Sequence, residues 1–159
     1  MIKGLHHAAY RCRDSEATRK FYEDFLGLPL VRAFEITTTK TGRTTNVLHT
    51  FYEMDDGSCL AFFEAPGMPF DFKDQHDFDL HIALEVDPTV LQKMYERGKK
   101  SDIETRGVSD HGFIHSIYFR DPSGYVVELT AKVASGDDGE GAGPEARRAL
   151  ASWQAGKHG

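Results

Sequence analysis

The chain has 159 residues, a net charge of −6 and 40% hydrophobic residues, which suits one compact domain or two small modules sharing a core. The acidic balance and the lack of a basic stripe argue against a nucleic-acid partner, and no apolar run approaches the roughly 20 residues needed to span a bilayer. Met1-Ile2-Lys3-Gly4 leads straight into the first motif with no signal peptide, and Cys12 and Cys59, too few for a disulfide framework and without zinc spacing, read as two buried free thiols of a cytoplasmic protein.

In chain order, Leu5 to Arg11 is a short strand, and Asp14-Ser15-Glu16 offers capping oxygens for a helix running to about Phe25, with Ala17, Phe21 and Phe25 on one face. Gly27 stops that helix. Leu30 to Ile36 is a strand, and the polar stretch Thr37 to Thr45 reads as a hairpin loop that hangs over the site. Val47 to Met54 and Ser58 to Glu64 are strands joined by the turn Asp55-Asp56-Gly57. Pro66 to Asp79 links to a second unit of the same order. Leu80 to Val86 is its first strand, and Pro88 sits just inside a helix whose apolar face is Val90, Leu91, Met94 and Tyr95. Three strands follow: Ile103 to Val108, Phe113 to Arg120 and Tyr125 to Val133. Residues 1–134 thus form one α+β domain of two βαβββ modules, about 1–66 and 79–134. Residues 135–159 form a flexible tail, with a glycine- and acid-rich linker at 136–141 and a short helix from Pro144 to Gln154 that carries Trp153.

The two modules repeat one chemical pattern. Leu5-His6-His7-Ala8-Ala9 opens the first and Leu80-His81-Ile82-Ala83-Leu84 the second, and each unit closes on a glutamate after a glycine turn, Glu64 or Glu128. Alternate residues of a strand share a face, so His7 lies with Leu5, Ala9 and Arg11 while His6 points away. His7 and His81 occupy the same place, two positions before an alanine. Glu128 sits mid-strand in Val126-Val127-Glu128-Leu129, where a bare carboxylate is costly to bury and a metal would remove the cost. His7, His81 and Glu128 are therefore the expected ligands of one divalent metal per chain.

The stretch from Leu5 to Leu129 resembles the vicinal oxygen chelate superfamily, which includes glyoxalase I, methylmalonyl-CoA epimerase, type I extradiol dioxygenases and the fosfomycin and bleomycin resistance proteins. The matching segments are Leu-His-His-Ala-Ala with Phe-Tyr-Glu-Asp-Phe-Leu-Gly-Leu, Leu-His-Ile-Ala-Leu-Glu-Val, and the run from Tyr118 through Asp-Pro-Ser-Gly to Glu128. The resemblance implies an eight-stranded, incompletely closed cup around a metal that a small substrate approaches with two vicinal oxygens. It puts His7, His81 and Glu128 on the ligand positions. Tyr118, ten residues before Glu128, resembles the tyrosine that hydrogen-bonds substrate in extradiol dioxygenases, and His111 resembles a further histidine of theirs, at a shorter spacing. The implied activity is ring cleavage of a small catechol-like substrate with Fe(II) or Mn(II), with His111 or His49 handling a proton and with Ni, Co or Zn as other metals. The acid–base histidine of the dioxygenases has only His76 as a counterpart, much closer to His81 than theirs.

A glyoxalase- or epimerase-like isomerase keeps the same cup, with Glu64 or His49 as a fourth ligand or base. A metal-free binding protein with Phe51, Tyr52, Phe62, Phe63, Phe70 and Phe72 lining a groove is a third reading. A homodimer is expected, with no nucleic-acid or membrane partner.

Overall fold

A computed structural model describes residues 1–72, 76, 78–133 and 142–156. The first module is β1 (His7–Arg11), α1 (Ser15–Arg19) running on as a π-helical turn over Lys20–Phe25, β2 (Leu30–Thr38), β3 (Thr44–Glu53) and β4 (Cys59–Glu64). The second is β5 (His81–Glu85), α2 (Pro88–Lys99), β6 (Thr105–Asp110), β7 (Ile114–Arg120) and β8 (Val126–Lys132). The strands form two open four-stranded sheets, β1-β4-β3-β2 and β5-β8-β7-β6. In each, the first strand pairs parallel with the last and the other pairs are antiparallel. These are the two expected βαβββ modules. A final helix, α3 (Ala142–Gly156), is longer than the Pro144–Gln154 expected; the linker expected at 136–141 lies outside the described residues, as do the neighbours of His76 at 75 and 77.

Local chemistry explains the first helix. The Asp14 carboxylate accepts from the Ala17 N–H at 2.7 Å, and Glu64 accepts from the Ser15 N–H at 2.7 Å, so two orphan amides of the first turn are satisfied. The last turn widens, with Leu26 N–H donating to the Phe21 carbonyl at 2.9 Å, and Gly27 leaves the helix at φ 89°. The hairpin loop expected at 37–45 is shorter: Thr38 pairs with Thr44, and the turn runs from Thr39 to Arg43. Ladder hydrogen bonds are made by the backbone, so polar side chains did not end the pairing. Likewise the sixth strand begins at Thr105, not Ile103. Cys12 is buried as expected, but Cys59, at the start of β4, is only half-buried. Among the described residues, no helix is long and apolar enough to cross a membrane.

Both sheets bury one face against the same helices. Tyr22, Tyr52, Leu60 and Phe62 of the first module join Ile82, Leu91, Met94, Ile117, Phe119, Val127 and Leu129 of the second in one core. Phe25 meets Phe119 edge-on at 5.1 Å and Tyr10 meets Tyr125 at 5.5 Å. Each large side chain so buried contributes about 1.5–3 kcal/mol. The polar lock between modules is the Tyr22 hydroxyl, which is fully buried and donates to Asp121 at 3.0 Å. Asp121 also accepts from the N–H groups of Ser123 and Tyr125, both at 2.8 Å. Burial pushes the Asp121 carboxyl above its ordinary range. Tyr22→Phe removes one donor from that buried acid, and an unmet buried hydrogen bond costs about 1–3 kcal/mol. Denaturant unfolding should show a lower midpoint with an unchanged slope.

Candidate metal and substrate site

The faces of the sheets turned away from the common core carry the chemistry. In β8 the residues Val127, Leu129 and Ala131 pack inward, which turns Glu128 outward. In β7, Ile117 and Phe119 pack inward and Tyr118 turns outward; in β5, Ile82 packs inward and His81 turns outward. Cross-strand register then lines up Ala83, Glu128, Tyr118 and Arg106 in one row across the second sheet. His81, one turn of the pleat before Ala83, brings its Nε2 to 3.3 Å from a Glu128 oxygen. The Glu128 side chain is 9% exposed and His81 41%, so a buried carboxylate meets an accessible imidazole. The Tyr118 hydroxyl lies 3.0 Å from His111 Nε2, and the Arg106 guanidinium stands 5.6 Å from the centre of the Tyr118 ring.

The first sheet repeats the row with different residues: Ala9, Ala61, Phe51 and Arg32. Register places Ala61, not Glu64, opposite the role of Glu128, and Phe51 opposite that of Tyr118. Glu64 lies three residues further on and is taken by the α1 amide of Ser15. It is thus not the counterpart of Glu128 that its place at the end of the repeat suggested. Arg32 lies over Phe51 at 6.0 Å, as Arg106 lies over Tyr118. His7 sits against Phe51 at 5.5 Å, on the same outward face. His6 precedes the strand, so alternation does not separate it from His7: the two Nδ1 atoms are 2.7 Å apart.

Within one chain, His81, Glu128, Tyr118 and His111 come together, and His7 and His49 come together on the other sheet. The expected trio of His7, His81 and Glu128 is not assembled: among the described residues, no three His, Cys, Asp or Glu side chains form a metal-sized group. The reason is the common core, which takes up the inner faces of both sheets and leaves His7 and His81 on outer faces. Among the described residues, His76 makes only local contacts, with the Phe78 N–H and ring. Tyr52 and Phe62 are fully buried on the helix side and cannot line a groove with Phe51 and Phe63.

His49 has the setting of a proton acceptor. Its Nδ1 lies 3.0 Å from the Phe62 carbonyl. A carbonyl only accepts, so Nδ1 carries the hydrogen and Nε2 keeps its lone pair. The ring is 6% exposed, stacks on Phe63 at 3.7 Å and is flanked by Phe34 and Phe51. Burial pulls its pKa below the usual histidine value, outweighing the Phe62 hydrogen bond, and nearby His7 adds to the fall. The folded state therefore resists protonating His49 while the unfolded chain takes up a proton near pH 6.5, so stability is lost as pH falls below about 6.5 and through the lower folded value. His49→Gln should flatten that acid loss in thermal melts between about pH 7 and 5, the span in which an ordinary histidine titrates.

Arg106 and Arg32 were not singled out from sequence. Only cross-strand register reveals them, because a lone arginine in a strand carries no signal by itself.

Comparison with known proteins fits this architecture. The model of the family described as Glyoxalase/Bleomycin resistance protein/Dioxygenase superfamily matches residues 4–129. The chain is 26% identical over 140 residues to the metallothiol transferase FosB of Shouchella clausii (strain KSM-K16), covering 81% of this chain and 80% of that protein. Its fold is similar to a glyoxalase/dioxygenase from Nostoc punctiforme (TM-score 0.62, 24% identity, 82% of this chain and 92% of that one). It is also similar to a point mutant of the fosfomycin resistance protein FosX from Listeria monocytogenes complexed with Mn(II) and 1S,2S-dihydroxypropylphosphonic acid (TM-score 0.61, 22% identity, 84% and 96%).

Proposed function

We propose, since the chain belongs to the glyoxalase/bleomycin resistance protein/dioxygenase superfamily, that it is a metal-dependent enzyme for a small anionic substrate with two neighbouring oxygens. Its site is completed between two copies. The observation that carries this reading is the outward placement of His81 and Glu128 on one sheet and of His7 and His49 on the other. A two-fold pair sets the first-sheet face of one copy against the second-sheet face of the other. Each cup then holds His7 and His49 from one copy with His81, Glu128, Tyr118 and Arg106 from the other. Two neutral imidazoles and a carboxylate suit Mn(II) or Fe(II) with open positions for substrate. Ala61, with no donor atom, keeps the position matching Glu128 free of a fourth ligand.

The metal, when bound, supplies Lewis-acid polarisation of a substrate oxygen. Arg106 binds the anionic group, and the Tyr118 hydroxyl donates to a substrate oxygen. The FosX ligand is a vicinal diol bearing a phosphonate, and such a diol forms when water opens an epoxide. Here His49 Nε2 would take the proton of the attacking water as its oxygen bonds to carbon. The carbon–oxygen bond of the ring breaks, and the released oxygen ends protonated. The Phe63, Phe34 and Phe51 wall excludes bulk water from this step.

Ring cleavage of a catechol remains the second reading, favoured by the Tyr118–His111 hydrogen bond. Incubation of Mn(II)- or Fe(II)-loaded protein with an epoxyalkylphosphonate, followed by phosphorus NMR, should show the diol. Oxygen uptake with catechols and no diol would move the protein to the dioxygenase class.

Two further outcomes are expected. His49→Gln should slow turnover by roughly 10²–10⁴-fold, the span of general acid–base help, with metal content intact. Tyr118→Phe should lower turnover about 10²–10³-fold at unchanged metal content, as loss of one aimed donor does; a neutral result would mean that Tyr118 merely packs.

His7→Ala and Glu128→Ala should each lose bound metal by elemental analysis. Unfolding and refolding the two variants together restores one intact site in every mixed dimer if the ligands come from two copies. No recovery on mixing would place all three ligands in one chain.

A further inference from the structure

Among the described residues, the helix α3 is left without a partner, and so is a groove between the modules. In α3, Ala146, Ala149, Leu150 and Trp153 recur at helical spacing and share one face. Leu150 and Trp153 are 60% and 68% exposed, an apolar stripe with no described residue laid against it. Between the modules runs a groove of about 520 Å³, walled by Leu26, Leu28, Met54, Val86, Val90 and Met94. Asp55, Asp56 and Glu85 stand on the same groove. A volume of this size falls within the roughly 300–1,000 Å³ of a side-chain or ligand pocket.

We propose that the α3 helix docks by its Leu150–Trp153 face into this groove of its own chain and clasps the two modules together. Three observations select this occupant. The first is the tether: the end of β8 lines a smaller neighbouring groove, and from there the Lys132 ammonium reaches Glu85 on this one at 3.4 Å. Eight residues, 134–141, separate Val133 from the helix, and that length reaches roughly 25–30 Å when extended. The second is charge: Arg147 flanks the apolar stripe, and beyond the Glu85 already paired with Lys132 the groove carries Asp55 and Asp56 to meet it. Asp56 is held ionised by its hydrogen bonds to the side chain and backbone of Ser58. The third is the contrast with a smaller apolar groove at the same end of β8, walled by Pro88, Leu91, Val108 and Val133 with His115 and Lys132. Its lining holds the cation Lys132 and no carboxylate, and Asp110 beside it faces His115 at 3.6 Å. An apolar helix face in an apolar groove with a matched charge at its rim is a familiar mode of peptide recognition.

Trp153 is the single tryptophan of the chain, so its fluorescence reads the docking in the intact protein. The expected result is emission of an apolar environment and weak quenching by acrylamide. Val90→Lys on the groove wall should shift the emission toward that of a solvated indole and raise quenching severalfold. Asp55→Lys combined with Glu85→Lys changes only exposed rim residues, so it tests the same point should the wall variant fail to fold, and it should act in the same direction. A solvated indole in the unmodified protein overturns the proposal. So does a buried one that neither variant releases, which would put the helix in the smaller groove or on another surface. Burial that disappears on dilution in step with dimer dissociation overturns it in favour of the groove of a second copy.

Discussion

The core common to both modules governs everything else in this molecule. One helix, α1 with its π-helical continuation, lies between inward-facing residues of both sheets: Tyr22 packs against Phe62 and Tyr52 of its own module, and Phe25 meets Phe119 of the other edge-on. The Tyr22–Asp121 hydrogen bond fixes the second module against this helix with a directional contact that apolar packing alone lacks. Once these faces are buried, strand alternation leaves no choice for their neighbours. His7, His49 and Phe51 must face out from one sheet, and His81, Tyr118 and Glu128 from the other.

The repeat has diverged in a chemically sensible way. The two sheets keep the same row of four positions, and an arginine over an aromatic ring ends both rows. Only the second row keeps a carboxylate and a phenol. The first has alanine and phenylalanine there, with a caged histidine two residues before the phenylalanine. One wall thus offers charge and hydrogen-bond donors, and the other offers an aromatic surface that carries His7 and the buried acceptor His49. Duplicated modules with unlike faces make a cup with two unlike walls when one face meets the other. In the proposed two-copy site, that arrangement would hold a polar reacting centre against a water-excluding side.

Much of the fold is legible in the residues. Asp14 before a run of helix formers, Gly27 after it, and Asp-Gly and Ser-Gly turns between apolar strands all mark element ends, because capping and positive φ are local requirements. Boundaries slipped where backbone pairing outlasts the apolar pattern, as between Thr38 and Thr44. His81 and Glu128 were expected at one site, but that β5 and β8 are parallel neighbours is seen only in the sheet topology. The equivalence of Glu64 with Glu128 was misleading: both end a strand after a glycine turn, but register counts from the paired strand, not from the turn. His6 misled for a related reason, lying just before the strand where alternation has no force.

The sequence by itself determined the two βαβββ modules, the placement of His7, His81 and Glu128 on strands, and the side of each strand they occupy. These follow from short-range rules: periods of 2 and 3.6, turn chemistry and caps. Only the tertiary structure decided which faces meet. The chain between Glu64 and His81 is long enough to let the modules close on each other or turn back to back, and no local rule distinguishes the two. The choice is made by where the large aromatic residues of α1 find the most apolar surface, namely the inner faces of both sheets. The same burial decided that the outer faces, with their histidines and carboxylate, do not meet within one chain.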